Sequence, residues 1–339
     1  MANRISTLDV LKGIAIILVI TAHCIQFGSG KHYLESEYFF DNPVFKLIYS
    51  FHMPLFMLIS GYLFQFSIKA HDFKHIIRSR FTGLLIPVLV WQTLWIIFFD
   101  HSILTGHNPL YVFNSYLNTL WFITSVFINS LIVLFCNRYA KDSIYVYSSI
   151  IIISLFIPNY HGYNLFVFMF PYFLCGYLYN KTGGMKKTLS RNEIIIFTII
   201  LLIGFILLFS EYNKNDYAYT SGTFLIKDHT FSLSQLYTDI YRWVIGGIGS
   251  SIIIFFVHLS FNTSSQLSII TLLRKIGTKT MGLYIISTYL FKFFILLPIS
   301  TPSFLVISAE SASITLVSYI FTLTIEQNYY SRKILLGGR

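Results

Sequence analysis

Charged residues are scarce in this chain. Lysine, arginine, aspartate and glutamate make up 11% of its 339 residues, whereas soluble domains contain roughly 25%. Apolar residues account for 55% and aromatic residues for 18%. A soluble protein of this length needs more charged residues on its surface than this chain contains. The composition therefore excludes an ordinary soluble enzyme and indicates a membrane protein.

Cysteine is also nearly absent. The three cysteines, Cys24, Cys136 and Cys175, lie in apolar segments. Their odd number and their spacing support neither a disulfide framework nor a zinc site, and we expect no metal. No small-residue cleavage site follows the first apolar stretch, so we expect no cleavable signal peptide.

The net charge of +10 is not gathered on one face or arm, as a nucleic-acid-binding protein requires. Basic residues recur instead in short clusters between apolar stretches. We therefore expect membrane lipid around the chain and no nucleic acid among its partners.

Apolar stretches of about the 20 residues needed to cross a bilayer run through the whole sequence. The predicted spans are residues 8–27, 45–66, 81–99, 116–136, 144–157, 165–179, 194–209, 241–261, 281–297 and 304–325. No soluble-sized gap separates them, although the fifth and sixth are short. The sequence predicts an all-α, polytopic integral membrane protein with about ten transmembrane helices, in which residues 1–339 form a single transmembrane domain.

The distribution of positive charge predicts the orientation, because cytoplasmic loops are enriched in lysine and arginine. With the N-terminus in the cytoplasm, 17 of the 24 basic residues fall on the cytoplasmic side. The C-terminus is then cytoplasmic as well. The longest connection, residues 210–240, is external; it is predicted either to shape a substrate site or to serve only as a tether.

Ionisable residues within a span are expensive and usually functional, and the first span contains Asp9, Lys12 and His23. Lys12 and His23 are 11 residues apart, which places them on one helix face about 16 Å apart along the axis. Asp9 lies one turn before Lys12 and is expected to pair with it. Alternatively, Lys12 extends to the membrane boundary and His23 hydrogen bonds to a neighbouring helix.

Several motifs resemble those of the acyltransferase-3 family of membrane acyltransferases. Residues 4–16 read RISTLDVLKGIAI and are followed by His23, so that Lys12 and His23 match the family's signature of a basic residue, ten residues and a histidine. The second predicted span contains FHMPLFMLISGYL, and Arg78 and Arg80 precede LLIP as in the family's basic inner loop. Weaker matches are WFI from Trp121 and GYL in the sixth span. The sequence is most similar to the compact branch that resembles fucose 4-O-acetylases.

The resemblance implies an acyl-CoA-dependent O-acetyltransferase in the bacterial cell (inner) membrane. It implies that an acetyl group moves from cytoplasmic acetyl-CoA to a hydroxyl of a cell-envelope carbohydrate, such as a lipid-linked sugar, O-antigen, capsule or exopolysaccharide. His23, Lys12 and Asp9 are the expected catalytic residues. An imidazole suits removal of the hydroxyl proton, while a covalent acyl-histidine is the alternative.

The remaining expected site residues bind the substrates. Coenzyme A is expected to bind to Arg78, Arg80 and Lys12. The two arginines suit its phosphates, because guanidinium groups match phosphate geometry. The alternative is that the arginines only set the membrane topology. His52, Trp121 and Glu310 are expected to contact the acceptor, although His52 suits a membrane interface without any function.

One departure from the family pattern is Ser287, where many relatives have histidine. Other functions stay open: a secondary transporter or flippase of an envelope glycan or its precursor, an O-succinyltransferase of the same family, or a non-catalytic sensor. A transporter more often shows an inverted repeat with broken helices, and the sequence shows no such repeat.

Overall fold

The computed structural model of the chain describes residues 6–28, 30–99, 109–157, 163–184, 190–227, 230–264, 268–294 and 303–338. These residues are almost entirely helical, which confirms the predicted all-α class. The helices are α1 Ser6–Phe27, α2 Gly30–Glu35, α3 Pro43–Ala70, α4 Phe73–Arg80, α5 Ile86–Phe99, α6 Pro109–Asn118, α7 Trp121–Ala140, α8 Ile144–Phe156, α9 Tyr163–Lys181, α10 Arg191–Glu211, α11 Ala218–Ser221, α12 Leu233–Ser264, α13 Ser268–Gly277, α14 Thr280–Phe294, α15 Phe304–Gln327 and α16 Tyr329–Leu335.

Shorter elements complete the described chain. The 3₁₀ turns are Tyr38–Asp41 and Lys214–Asp216, and a π-helical turn at Phe81–Leu85 joins α4 to α5. Strands β1 Ile226–Lys227 and β2 Thr230–Phe231 form a two-residue antiparallel pair.

Among the described residues, seven helical segments are long and apolar enough to cross a membrane. They are Ser6–Phe27, Pro43–Ala70, Phe73–Phe99, Trp121–Ala140, Arg191–Glu211, Leu233–Ser260 and Phe304–Gln327. Helices α8, α9 and α14 occupy the predicted fifth, sixth and ninth spans but fall short in length or apolarity. The polytopic membrane fold is therefore confirmed, while the count of ten and the cytoplasmic termini stay predictions.

Helix α10 shows why this fold needs a bilayer. Most of its apolar side chains are exposed, among them Ile203 at 56% and Leu207 at 68%. Water would have to solvate this hydrocarbon surface, whereas lipid covers it without penalty. The helix begins at a capping box, in which the Ser190 hydroxyl accepts a bond from the Glu193 amide and the Glu193 carboxylate accepts one from Ser190.

Two predicted span boundaries differ from the helices in the structure. The predicted fourth span, 116–136, is divided, because α6 ends at Asn118 and α7 begins at Trp121. The backbone of Leu120 between them departs from helical geometry, which sequence periodicity does not reveal. The predicted eighth span, 241–261, lies within a helix that begins two turns earlier, at Leu233.

The described chain forms two compact units, each assembled from separate stretches. The first comprises the described parts of Met1–Ile59, Gly183–Thr220 and Ile240–Thr322. The second comprises those of Ser60–Thr182, Ser221–Asp239 and Leu323–Arg339. The prediction of a single domain over residues 1–339 stays a prediction.

In the first unit, α1 and α13 cross with their backbones in contact. A Cβ atom added at Gly13 would lie 2.1 Å from the carbonyl oxygen of Leu273, and one added at Gly277 would lie 1.6 Å from that of Asp9. Small residues allow such close approach in membranes, where packing rather than hydrophobic burial holds helices together. The two glycines therefore fix the position of α1.

In the second unit, a buried carboxylate ties the turn after α7 to α8 and α9. Asp142 accepts hydrogen bonds from the Tyr147 hydroxyl at 2.6 Å and the Asn137 amide at 2.8 Å. It also accepts one from Tyr177 at 2.8 Å and pairs with Lys181. Burial opposes the charge of Asp142, but the bonds from Lys181 and the other donors outweigh it and lower the pKa of the carboxyl.

Replacing Gly277 with alanine tests the helix crossing. The new methyl group overlaps the Asp9 carbonyl, so we expect the variant to lose about 1–3 kcal/mol of stability, measured as a lower melting temperature in detergent. Gly204→Ala is the matched control, because that helical glycine has open space around its Cβ position. Equal melting temperatures for the two variants would contradict the crossing.

Substituting Asp142 with asparagine tests the buried carboxylate. At neutral pH we expect a loss of about 1.5–3 kcal/mol, because the donors around Asp142 no longer bond to a charged acceptor. A lowered folded-state pKa stabilises the protein above the ordinary value of 3.8 and stops doing so as the pH falls through the lowered value. The melting-temperature difference between wild type and variant should therefore shrink below about pH 4. The control is Asp72→Asn, which removes an exposed carboxylate without a capping hydrogen bond and should change the melting temperature little.

Candidate functional site

The polar residues at the Ser6 end of α1 are paired. The Lys12 ammonium lies 2.7 Å from the Asp9 carboxylate, and their side chains are 18% and 5% exposed. This confirms the predicted pairing at one turn of helix. The ion pair compensates both charges in a segment that is surrounded by apolar residues.

His23 lies three turns further along α1, on the face that carries Lys12. Its ring contacts Phe27 at a centroid distance of 5.7 Å and Phe291 of α14 at 5.3 Å. Its Nδ1 atom is buried and has no hydrogen-bond partner among the described residues. The neighbours are therefore apolar rings, and the expectation that His23 merely bonds to a neighbouring helix is not met at this nitrogen.

His52 of α3 is held in one tautomer. It is 2% exposed, and its Nδ1 lies 2.8 Å from the carbonyl oxygen of Ile48. A carbonyl only accepts, so Nδ1 carries the proton and Nε2 carries the lone pair.

Two residues that the sequence did not single out connect to these histidines. The Tyr49 hydroxyl donates to Oε1 of Gln26 at 3.2 Å, and the Tyr49 ring lies 4.7 Å from that of His52. Gln26 follows His23 by three residues and falls on the same side of α1. The helical periodicity that joined Lys12 to His23 also points to Gln26, although only the structure reveals Tyr49.

Glu310 of α15 lies against an adjoining face of α1. Both of its carboxylate oxygens are buried and have no hydrogen-bond partner among the described residues. A Cβ atom added at Gly28 would lie 2.4 Å from Oε2 of Glu310. The Ser311 and Thr21 hydroxyls, 2.8 Å apart, hold the two helices together nearby. Thr21 and Gly28 lie about 140–160° around the helix from His23, so Glu310 approaches α1 from another side.

The arginines belong to the second unit. The Arg80 guanidinium donates to the Ser67 hydroxyl at 3.0 Å and lies 4.6 Å from the centre of the Phe64 ring. Arg78 is exposed. Both end α4, directly before the π-helical turn, a wide backbone geometry that is frequent at functional sites. The structure thus orients Arg80 and leaves Arg78 open to solvent.

Trp121 begins α7 in the second unit, and its ring lies 6.1 Å from that of Phe122. His23 and His52 both lie in the first unit, where Tyr49 contacts His52 and hydrogen bonds to Gln26 of the helix that carries His23. Asp9 and Lys12 pair elsewhere on the same helix, Glu310 lies beside α1, and Arg78, Arg80 and Trp121 lie in the second unit.

Ser287, the residue that departs from the family pattern, is buried within α14. Its side chain is 1% exposed, and its hydroxyl donates to the carbonyl oxygen of Tyr284 at 3.2 Å. It lies one turn before Phe291, the residue that contacts His23. A serine here satisfies its own hydrogen bond within α14.

Metal-binding groups are absent from the part of the chain that the structure describes: no three His, Cys, Asp or Glu side chains come together there. His71 and His75 stack at 4.3 Å without a third ligand.

An integral membrane protein with unpartnered polar groups inside its helices suggests a membrane enzyme, and the family match shows which class. The family model described as an acyltransferase domain, that of the acyltransferase-3 family, matches residues 5–325. The chain belongs to this family, and the resemblance noted in the sequence is confirmed. The protein is therefore an acyltransferase-family membrane protein.

Two relatives of the chain are both named nodulation protein NolL. The chain is 32% identical over 225 residues to nodulation protein NolL of Mesorhizobium japonicum, a match that covers 65% of this chain and 59% of that protein. It is 31% identical over 225 residues to NolL of Sinorhizobium fredii, covering 65% and 60%. The match thus spans about three fifths of the length of these relatives. No solved structure matches the chain significantly.

Proposed function

We propose that the protein is a membrane O-acetyltransferase, which moves an acetyl group from acetyl-CoA to a hydroxyl of a cell-envelope carbohydrate. The observation that carries the proposal is His23, an imidazole whose buried Nδ1 has no partner among the described residues. Membership of the acyltransferase-3 family supports the reaction class. An unpaired ring nitrogen inside a spanning helix is expensive to maintain, and a proton-transfer role accounts for it.

In the proposed reaction, His23 acts as a general base. It accepts the proton of the acceptor hydroxyl as that oxygen attacks the thioester carbonyl. The carbon–oxygen bond forms, the carbon–sulfur bond breaks, and the leaving thiolate takes the proton from the imidazolium. The products are the acetyl ester and free coenzyme A. Transfer through an acyl-histidine is the alternative route.

The proposed location is the bacterial inner membrane, with both chain termini in the cytoplasm. The bias of positive charge towards the loops between alternate spans supports this orientation. Acetyl-CoA then approaches from the cytoplasm, and the carbohydrate approaches from outside. His23 belongs to the outer half of α1 in this orientation.

For donor binding, we assign the phosphates of coenzyme A to Arg78 and Arg80 in the second unit. Ser67 and Phe64 orient the Arg80 guanidinium, and Arg78 is exposed without an ion pair among the described residues. Guanidinium groups form paired hydrogen bonds with phosphate oxygens. In the first unit we assign Lys12, oriented by Asp9, to the donor and to catalysis.

For acceptor binding, we assign His52 and Glu310 in the first unit. The Nε2 lone pair of His52 accepts a hydrogen bond, and the two carboxylate oxygens of Glu310 are without partners in the described chain. In the second unit, the partly exposed ring of Trp121 is assigned a stacking contact with the carbohydrate.

Changing His23 to alanine tests the mechanism. We expect transfer of radiolabelled acetyl from acetyl-CoA to envelope glycan in membranes to fall by about 100- to 10,000-fold, the usual contribution of a general base. His258→Ala, which removes a histidine from spanning helix α12, is the control and should keep its activity. Acetyl transfer by His23→Ala at the wild-type rate would contradict the proposed mechanism. Movement of glycan without label attached to it would instead favour a flippase.

Changing Arg80 to alanine tests the donor site. A charge-assisted hydrogen bond contributes about 1.5–3 kcal/mol, so we expect the KM for acetyl-CoA to rise about 10- to 100-fold with little change in the acceptor KM. Arg80→Lys should recover part of the affinity. Lys74→Ala removes an exposed charge from the same helix and should change neither constant. If Lys74→Ala weakens donor binding as much as Arg80→Ala does, Arg80 acts only through its positive charge, and the assignment of a direct phosphate contact to Arg80 is wrong.

A further inference from the structure

Residues 212–220, here called the tyrosine segment, fold onto the start of α3 within the first unit. The segment contains Tyr212, Tyr217 and Tyr219 and lies in the connection that the sequence predicts to be external. The Tyr217 ring is 2% exposed and packs at 4.6 Å from Phe40 and 5.2 Å from Tyr212. Its buried hydroxyl has no hydrogen-bond partner among the described residues.

Polar contacts make the tyrosine segment a built structure rather than a loose tether. The Asn213 side chain accepts from the amide of Asn215, and the Asp216 carboxylate accepts from the amide of Asn213, which caps the 3₁₀ turn Lys214–Asp216. The Lys214 ammonium lies 2.5 Å from the Glu37 carboxylate, just before α3. The segment is therefore anchored at its turn and at its buried ring.

A continuous set of contacts leads from this segment to the histidines. Tyr219 is 49% exposed, and the centre of its ring lies 6.0 Å from that of the Tyr49 ring. The Tyr49 hydroxyl bonds to Gln26, and the Tyr49 ring contacts His52. Because Gln26 lies one helical turn beyond His23 on α1, these contacts lead from an exposed ring to the helix turn next to the proposed catalytic base.

We propose that Tyr219, Tyr49 and Gln26 form a subsite for the acceptor sugar, and that the sugar is a pyranose. An exposed tyrosine ring provides an apolar face for the ring C–H groups of a pyranose, while its polar edge reaches hydroxyls. The Tyr49 hydroxyl and the Gln26 amide supply donors and acceptors without net charge. This inventory suits a neutral polyol better than a phosphate or an acidic peptide.

The biological role of the subsite rests on the proposed acyl transfer, whereas sugar binding at the subsite can be measured without any transfer. Bound at Tyr219, a pyranose lies at the open end of the contacts that lead to His23. The hydroxyl that receives the acetyl group gives its proton to His23, and the thiolate of coenzyme A finally takes that proton. The buried Tyr217 hydroxyl supplies a further hydrogen-bonding atom beneath the segment.

Binding is tested without catalysis by saturation-transfer-difference NMR on the full chain in nanodiscs. The probes are a mixture of methyl pyranosides of differing hydroxyl configuration. We expect ring C–H protons of at least one pyranoside to receive saturation from the wild type. The signal should disappear in Tyr219→Ala, persist at reduced strength in Tyr219→Phe, and persist unchanged in Tyr237→Ala, which removes another exposed tyrosine.

Kinetics complete the test with the pyranoside that binds best. We expect Tyr219→Ala to raise the acceptor KM about tenfold and to leave the KM for acetyl-CoA unchanged. The subsite is overturned if the wild type binds no pyranoside, or if Tyr219→Ala binds and uses it as the wild type does. Sugar binding that Tyr219→Ala removes, without acetyl transfer by the wild type, would support the subsite and reject the acyltransfer proposal.

Discussion

A polar side chain inside a bilayer must be hydrogen bonded or paired, because the surrounding hydrocarbon offers no substitute for water. The first helix obeys this constraint at Asp9 and Lys12, which form an ion pair at 2.7 Å. At His23 it does not, since a buried ring nitrogen is without a partner among the described residues. The contrast separates a group that the fold has satisfied from one that is available for a substrate.

This arrangement depends on the position of α1, and packing rather than polarity fixes it. Gly13 and Gly277 bring two helix backbones together, while the Thr21 and Ser311 hydroxyls meet on a face of α1 about 80° around the helix from Gly13. A helix held on two sides cannot rotate to bury His23 elsewhere. The imidazole is therefore kept among the rings of Phe27 and Phe291, which exclude water without neutralising it.

Local patterns in the sequence predicted most of the fold and part of the candidate site. Apolar runs located the spanning helices, and the three-residue spacing of Asp9 and Lys12 predicted their pairing. The division between α6 and α7 was not predicted, because neither proline nor glycine marks it and the change lies in the backbone dihedrals of Leu120. Tyr49 and Tyr219 were missed for a different reason: 170 residues separate them, and no local periodicity encodes a contact of that range.

The same distinction between local and long-range contacts explains why the acceptor side is harder to deduce than the donor side. A phosphate-binding site needs concentrated positive charge, which short stretches such as α4 supply with Arg78 and Arg80. A sugar site needs neutral groups from distant segments, here Gln26, Tyr49 and Tyr219, arranged to match hydroxyls. Because these residue types are common in membrane proteins, only their contacts mark them. The tyrosine segment is paired through Lys214 with Glu37, ahead of α3, and under the proposed function it selects the carbohydrate while the proposed chemistry at His23 stays the same.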